Sequence, residues 1–231
     1  RDHRFVLVLE GDHLGENVTS NDPDSEGLAP IKCEALDNDS VRTTELVNTF
    51  IEQAGRVLVN LQSANMVLLR GFSKLPTFPS MPNCFKLNAA AIAAYPMYRG
   101  IAKLIGMKVL STGESFNHEV DTLESHYDNH DFFFIHYKPA DTAGEDGNFE
   151  AKIKALEDLD KLIPRIMNLK PDVLVVAGDH ATPSIMGSHS WHPVPLIIHS
   201  KLTIGDGVPS FSEKSCSQGN IGRIDATNVM G

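Results

Sequence analysis

Asp179 and His180 stand side by side after the apolar, β-branched run Val173-Leu-Val-Val-Ala-Gly178, and Ser188-His-Ser-Trp-His-Pro-Val-Pro195 follows one loop later. A carboxylate beside imidazoles offers the hard oxygen and borderline nitrogen donors that Zn, Mn and similar divalent ions accept. Upstream, a second apolar run, Asp131-Phe-Phe-Phe-Ile-His-Tyr-Lys138, leads into Asp141 and Glu145. Each residue alone has a plainer reading: Asp141 as a turn residue, Glu145 as a solvated charge, His192 as a hydrogen-bonded surface histidine on the rim, the whole stretch as a histidine-rich loop. The case for a metal site is convergence, since such sites gather ligands from distant parts of a chain.

The elements that would bring these residues together follow from periodicity. Both apolar runs read as strands covered on both faces. Between them Asn148 to Leu169 carries Ile153, Leu156, Leu159, Leu162, Ile163 and Ile166 at helical spacing, which predicts one amphipathic crossover helix stopped by Pro171. Strand, helix, strand predicts a βαβ unit, which puts Asp141 and Asp179-His180 at the same edge of one parallel sheet. Pro193-Val-Pro-Leu-Ile-Ile-His-Ser200 adds a further strand.

Earlier in the chain, Arg4-Phe-Val-Leu-Val-Leu-Glu10 reads as a strand, followed by a long polar loop to about Asp39. Ser40 or Asp39 is the expected cap of a helix with Leu46, Val47, Phe50 and Ile51 on one face, ended by Gly55. Met66 to Gly71 reads as a short strand and Leu75 to Pro82 as an extended proline-rich surface segment. Lys86 to Gly106 predicts a strand into Ala94 and a helix from Met97, and Lys108-Val-Leu-Ser-Thr a short strand. The composition shift after it predicts a linker and helix over 113–129, with a domain boundary near 115.

The bulk numbers exclude some classes. With 20 Lys+Arg against 30 Asp+Glu the net charge is −10, which argues against nucleic acid or an anionic membrane as partner. An anionic small molecule stays open, because a metal and a few basic side chains make a local positive site. Cys33, Cys84 and Cys216 are widely spaced and odd in number, as expected of reduced thiols in a cytoplasmic protein. The chain opens on Arg1, not Met.

Several stretches together resemble the archaeal-type cofactor-independent phosphoglycerate mutases of the alkaline phosphatase superfamily: His136-Tyr-Lys-Pro-Ala-Asp-Thr-Ala-Gly-Glu-Asp-Gly-Asn-Phe-Glu-Ala-Lys152, Gly178-Asp-His-Ala-Thr-Pro183, His189-Ser-Trp-His-Pro-Val-Pro195, and the tail with Phe211-Ser-Glu213, Cys216 and Gly219-Asn-Ile-Gly-Arg223. His3-Arg4, Asp22-Pro23, Asn65, Leu68-Leu-Arg-Gly71, Tyr95-Pro-Met-Tyr-Arg-Gly-Ile-Ala102 and Gly106-Met107 extend the likeness. The resemblance implies an α/β protein: a parallel-sheet metal domain over 116–231, and most of a smaller α/β inserted substrate domain over 1–115.

It further implies two divalent ions (Mn, Mg or Zn), one held by Asp179 and His180, the other by Asp141, residue 145 and His189. Lys86, Arg70 and Arg99 are the expected clamps on a phosphoglycerate substrate. The implied activity is interconversion of 3- and 2-phosphoglycerate through a phosphoenzyme. The family has His where this chain has Glu145, and a carboxylate there favours Mg or Mn over Zn. The resemblance places the nucleophilic Ser or Thr ahead of Arg1, so a longer natural chain is the expectation. The alternatives are a related metal-dependent phosphatase or phosphonate enzyme, and an inactive homologue serving as a binding or scaffold protein.

Overall fold

The computed structural model describes residues 5–205 and 207–230. The chain divides into two compact units, Arg1–Thr77 and Phe78–Gly231. This boundary falls well before 115, and the reason is hydrogen bonding. Ala89 to Ala93 pairs in parallel with Phe132 to His136, so one sheet takes strands from both sides of 115.

In the first unit, Asp37 caps a 3-10 turn by accepting the Ser40 N–H at 2.8 Å, and α1 (Val41–Leu58) follows. Ser40 stands at the N-cap position of α1, as one of the two expected residues, but its hydroxyl accepts the Asn17 N–H and makes no capping bond to the helix; the side-chain cap is that of Asp37 on the 3-10 turn before it. The helix also runs through Gly55. A Cβ there would lie 3.1 Å from the Met66 sulfur, so glycine lets that side chain pack close to the helix and does not end it. Val47 and Ile51 of α1 bury with Val18, Cys33 and Leu69, and Leu7 and Leu9 pack against them.

Among the described residues neither expected strand forms in this unit. Phe5 to Glu10 carries no ladder, with Val6 and Val8 exposed, while Arg4 lies outside the described residues, as does His3. Leu69 pairs instead with Asn21, main chain to main chain and through the Asn21 side chain, so Met66 to Gly71 has no strand partner among the described residues.

The second unit is built on a three-stranded parallel sheet in the order β2-β1-β3, with β1 at Ala89–Ala93, β2 at Lys108–Val109 and β3 at Phe132–His136. A short α2 (Met81–Phe85) precedes it. The sequence Ala-Ala-Ala-Ile-Ala makes β1 wholly buried, and its alternate residues face different cores. Ala90 and Ile92 pack with Leu110, Val120, Leu123 and Ile166; Ala89 and Ala91 pack with Ala102 and Met107. Helices therefore cover both faces, the arrangement a parallel sheet demands. They are α3 (Pro96–Leu104) on one side and α4 (Phe116–His126) on the other.

β3 itself is only half-buried, because its outer edge has no further strand among the described residues. After it come α5 (Pro139–Glu145), α6 (Phe149–Asp160) and α7 (Ile163–Asn168). The predicted single crossover helix is thus two helices. Pro164 cannot supply an interior N–H, so the chain breaks at Leu162 and restarts with proline in the first turn.

β4 (Val173–Ala177) departs most from expectation. It pairs antiparallel with β5 (Leu196–Ser200) in a separate two-stranded sheet, and not in parallel with β3. Its residues alternate in exposure, Val173 at 57%, because one face of this ribbon is uncovered. A β-branched run fits a strand buried on both faces and one buried on a single face equally well. A short α8 (Glu213–Cys216) lies in the tail. No helix among the described residues is long and apolar enough to cross a membrane.

Candidate metal centre

The site is assembled at the C-terminal ends of β1, β3 and β4. Pro139 starts α5 directly after β3 and places Asp141 in its first turn. Gly144 lets this helix approach the loop after β4. A Cβ at 144 would collide with the Thr182 carbonyl. The loop between β4 and β5 then folds back on itself: an antiparallel bridge pairs Ala181 with Ser190, whose N–H donates to the Ala181 carbonyl at 2.9 Å. That bridge lays the His189 ring on His180, centroids 3.8 Å apart.

The outcome is a continuous cluster. His189 Nε2 lies 3.5 Å from Asp141 Oδ1 and 3.3 Å from Glu145 Oε1. His180 Nδ1 lies 3.8 Å from Asp141 Oδ1, and its Nε2 lies 3.7 Å from Asp179 Oδ2. Asp141, His180 and His189 present ligand atoms all within 4.8 Å of one another. Two imidazoles and a carboxylate at that spacing, with Glu145 and Asp179 at either end, are a donor set that suits a divalent ion. His192 is turned to the rim, its ring bonded to the Ser190 hydroxyl at 2.8 Å and stacked on Trp191.

The electrostatics favour ionised carboxylates. Burial pushes the Asp141 carboxyl up, but hydrogen bonds from Lys138 and from Thr182 outweigh it and hold the group below the ordinary carboxylate range. Asp179 behaves likewise, with burial opposed by the hydrogen bond from the Tyr98 hydroxyl and by its neighbour His180. Lys138 donates to Asp141 and sits 3.6 Å from Glu145; burial lowers its pKa, but these carboxylates raise it further, so it stays a cation. Burial lowers the pKa of His136, and its Nδ1 is buried without a hydrogen-bond partner.

Of the basic residues expected at a substrate, Lys86 is exposed at the left-handed C-terminus of α2, and Arg99 is exposed on the first turn of α3. Arg70, in the first unit, lies 3.6 Å from Asp22 and lines a cleft with Asp24 and Glu26, so its charge is already offset there.

Sequence reasoning missed two residues. Thr182 is buried, donates to Asp141 Oδ1 at 2.5 Å, and lies 3.0 Å from His180 Nδ1, so it ties two candidate ligands together. Its place two residues after His180 was a usable signal. Tyr98 donates its hydroxyl to Asp179 across 81 residues of sequence. Nothing local could have announced that.

The chain is similar to named proteins over its whole length. It is 46% identical over 230 residues to a Thermotoga petrophila protein named "Probable 2,3-bisphosphoglycerate-independent phosphoglycerate mutase", and 43% identical over 232 residues to a Thermus thermophilus protein of the same name. The matches cover 100% and 99% of this chain but 57% of each relative, so the chain spans little more than half the length of these relatives. Among solved structures, a Pyrococcus horikoshii protein is similar with a TM-score of 0.71 at 28% identity, over 80% of this chain and 55% of its own. The cofactor-independent phosphoglycerate mutase of Thermoplasma acidophilum gives 0.60 at 25% identity, over 95% of this chain and 58% of its own. The metalloenzyme superfamily model matches residues 31–231, a span that includes every residue of the cluster; the chain belongs to that superfamily.

Proposed function

We propose that this protein interconverts 3-phosphoglycerate and 2-phosphoglycerate through a phosphoenzyme at a centre of two divalent ions. The observation that carries the reading is the Asp141–His189–His180 cluster, flanked by Glu145 and Asp179, in a chain 46% identical to proteins named for this activity. Asp179 and His180 would hold one ion, and Asp141, Glu145 and His189 the other. Divalent ions there would lower the pKa of the attacking hydroxyl and offset the charge of the phosphoryl group. Glu145 makes the second set harder than imidazole would, which favours Mg or Mn.

The chain's own residues do the rest. Thr182 orients Asp141 and His180 from behind, and Lys138 keeps a positive charge between Asp141 and Glu145 where an anionic phosphoryl group would need one. Lys86 and Arg99 are the candidate clamps for the substrate carboxylate and phosphate in this unit. Arg70 would have to give up Asp22 to serve. A cytoplasmic setting belongs to the same reading and accords with the free thiols of Cys33, Cys84 and Cys216.

The test is turnover of 3-phosphoglycerate by the full-length protein with Mn²⁺ or Mg²⁺, following 2-phosphoglycerate and inorganic phosphate in parallel. Mutase product that disappears in Asp141→Ala and His189→Ala supports the proposal. Phosphate release without mutase product would make it a phosphatase. No turnover by any loaded protein would leave a binding role.

A further inference from the structure

We infer that Tyr98 is a positioning residue of this centre, its phenol hydroxyl holding the Asp179 carboxylate in the orientation a metal ion needs. The inference rests on the reading of Asp179 as a ligand. Tyr98 stands in the first turn of α3, just beyond the C-terminal end of β1, and so at the same edge of the parallel sheet as His136 at the end of β3. Its ring lies nearly parallel to the His136 ring, centroids 3.4 Å apart at 22°, and Phe134 lies beside the pair, 6.3 Å from Tyr98 and 6.5 Å from His136. Tyr98 is anchored in α3 and both Phe134 and His136 in β3, so the hydroxyl is placed by ring packing against the parallel sheet as well as by its own hydrogen bond.

Asp179 is in the opposite situation. It sits on the loop after β4, which belongs to the other sheet, and its side chain is 54% exposed. Its own loop restrains it through His180 alone among the described contacts, the N–H donating to Oδ1 at 3.1 Å and the ring Nε2 lying 3.7 Å from Oδ2. The Tyr98 hydroxyl donates to Oδ2 and ties the carboxylate to the parallel sheet. A carboxylate has about four lone-pair directions, so one on each oxygen stays open for an ion. Partners of this kind behind a ligand are typically worth about 10–100-fold in metal affinity, because they remove orientations the ion would otherwise have to select.

Co²⁺ titration of the full-length protein, read by visible absorption, tests this with Tyr98→Phe, Asp179→Asn and the double variant. Phe keeps the stack on His136 and removes only the hydroxyl. The expected result is about a tenfold to hundredfold weaker Co²⁺ site in Tyr98→Phe with an altered absorption band. The double variant should bind no more weakly than Asp179→Asn alone, since Tyr98 acts only through Asp179. Tyr98→Phe binding as tightly as wild type, while Asp179→Asn is weak, overturns the inference and leaves the site standing. So does a double variant weaker than either single one, which would mark Tyr98 as general packing. Wild-type binding that Asp179→Asn does not weaken overturns the ligand reading and this inference with it.

Discussion

Glu119 should make the second unit less stable as pH rises through neutrality. It lies on α4, 2% exposed; one oxygen accepts the Ala94 N–H at 2.8 Å, and the other has no partner. Burial raises its pKa from an ordinary 4.5 to about 7, opposed only by that hydrogen bond. With the folded pKa above the unfolded one, the native state holds the extra proton between those values, so stability falls as pH climbs from about 4.5 to about 7 and the loss is complete above that. Each tenfold difference in proton affinity between the two states is worth about 1.4 kcal/mol, so the full swing is about 3 kcal/mol. Glu119→Gln copies the neutral form, retains the acceptor for Ala94, and cannot ionise. Urea unfolding of both proteins at several pH values from about 5 to about 8.5 isolates the effect as a difference, because the opposite contribution of His136, held neutral by burial, is common to both. The variant should exceed wild type by less than about 1 kcal/mol near pH 5 and by about 3 kcal/mol near pH 8. Parallel curves over that range would refute the reasoning.

Three further outcomes follow from the same geometry. Thr182→Val, nearly isosteric, should cost about 1–3 kcal/mol by leaving buried acceptors unmet, and should weaken Mn²⁺ binding; unchanged melting and unchanged binding would deny Thr182 its linking place. Trp191, the sole tryptophan, is 81% exposed beside His189 and His192, so saturating Mn²⁺ should quench its emission and a chelator restore it; a flat titration counts against an ion at His189. Ile92→Ala, at a fully buried position of β1, should cost about 2–5 kcal/mol in chemical denaturation, and a loss below about 1 kcal/mol would mean that the core around Val120 collapses to fill the space.

Much of the second unit could be read from residues alone where the signal is local. The strand over Ala89 to Ala93 and the strand ending at His136 are short continuous apolar runs, and the helix between them is marked by Pro96 at its start. The association of strands was less legible. Val173 to Ala177 reads correctly as a strand, but β-branched side chains say nothing about which partner it takes, and it pairs with β5 instead of β3. Met66 to Gly71 failed for the converse reason: its amides are met by the Asn21 side chain and main chain, a solution that composition cannot announce. The ligand-type residues Asp141, Glu145, Asp179, His180 and His189 were visible as types. Their supports were not, because Tyr98 and Thr182 matter through contacts that sequence spacing does not encode.

The bridge between Ala181 and Ser190 makes loop length itself a constraint on chemistry. The separation of the two imidazoles is set by a main-chain pairing and not by either histidine's identity, so many substitutions between 183 and 188 leave it untouched. Adding or removing one residue there would shift the paired position by one and turn His189 to the opposite face, away from Asp141. Relatives that keep this cluster should therefore vary widely in what this stretch says, apart from Gly187 with its positive φ, and hardly at all in how long it is.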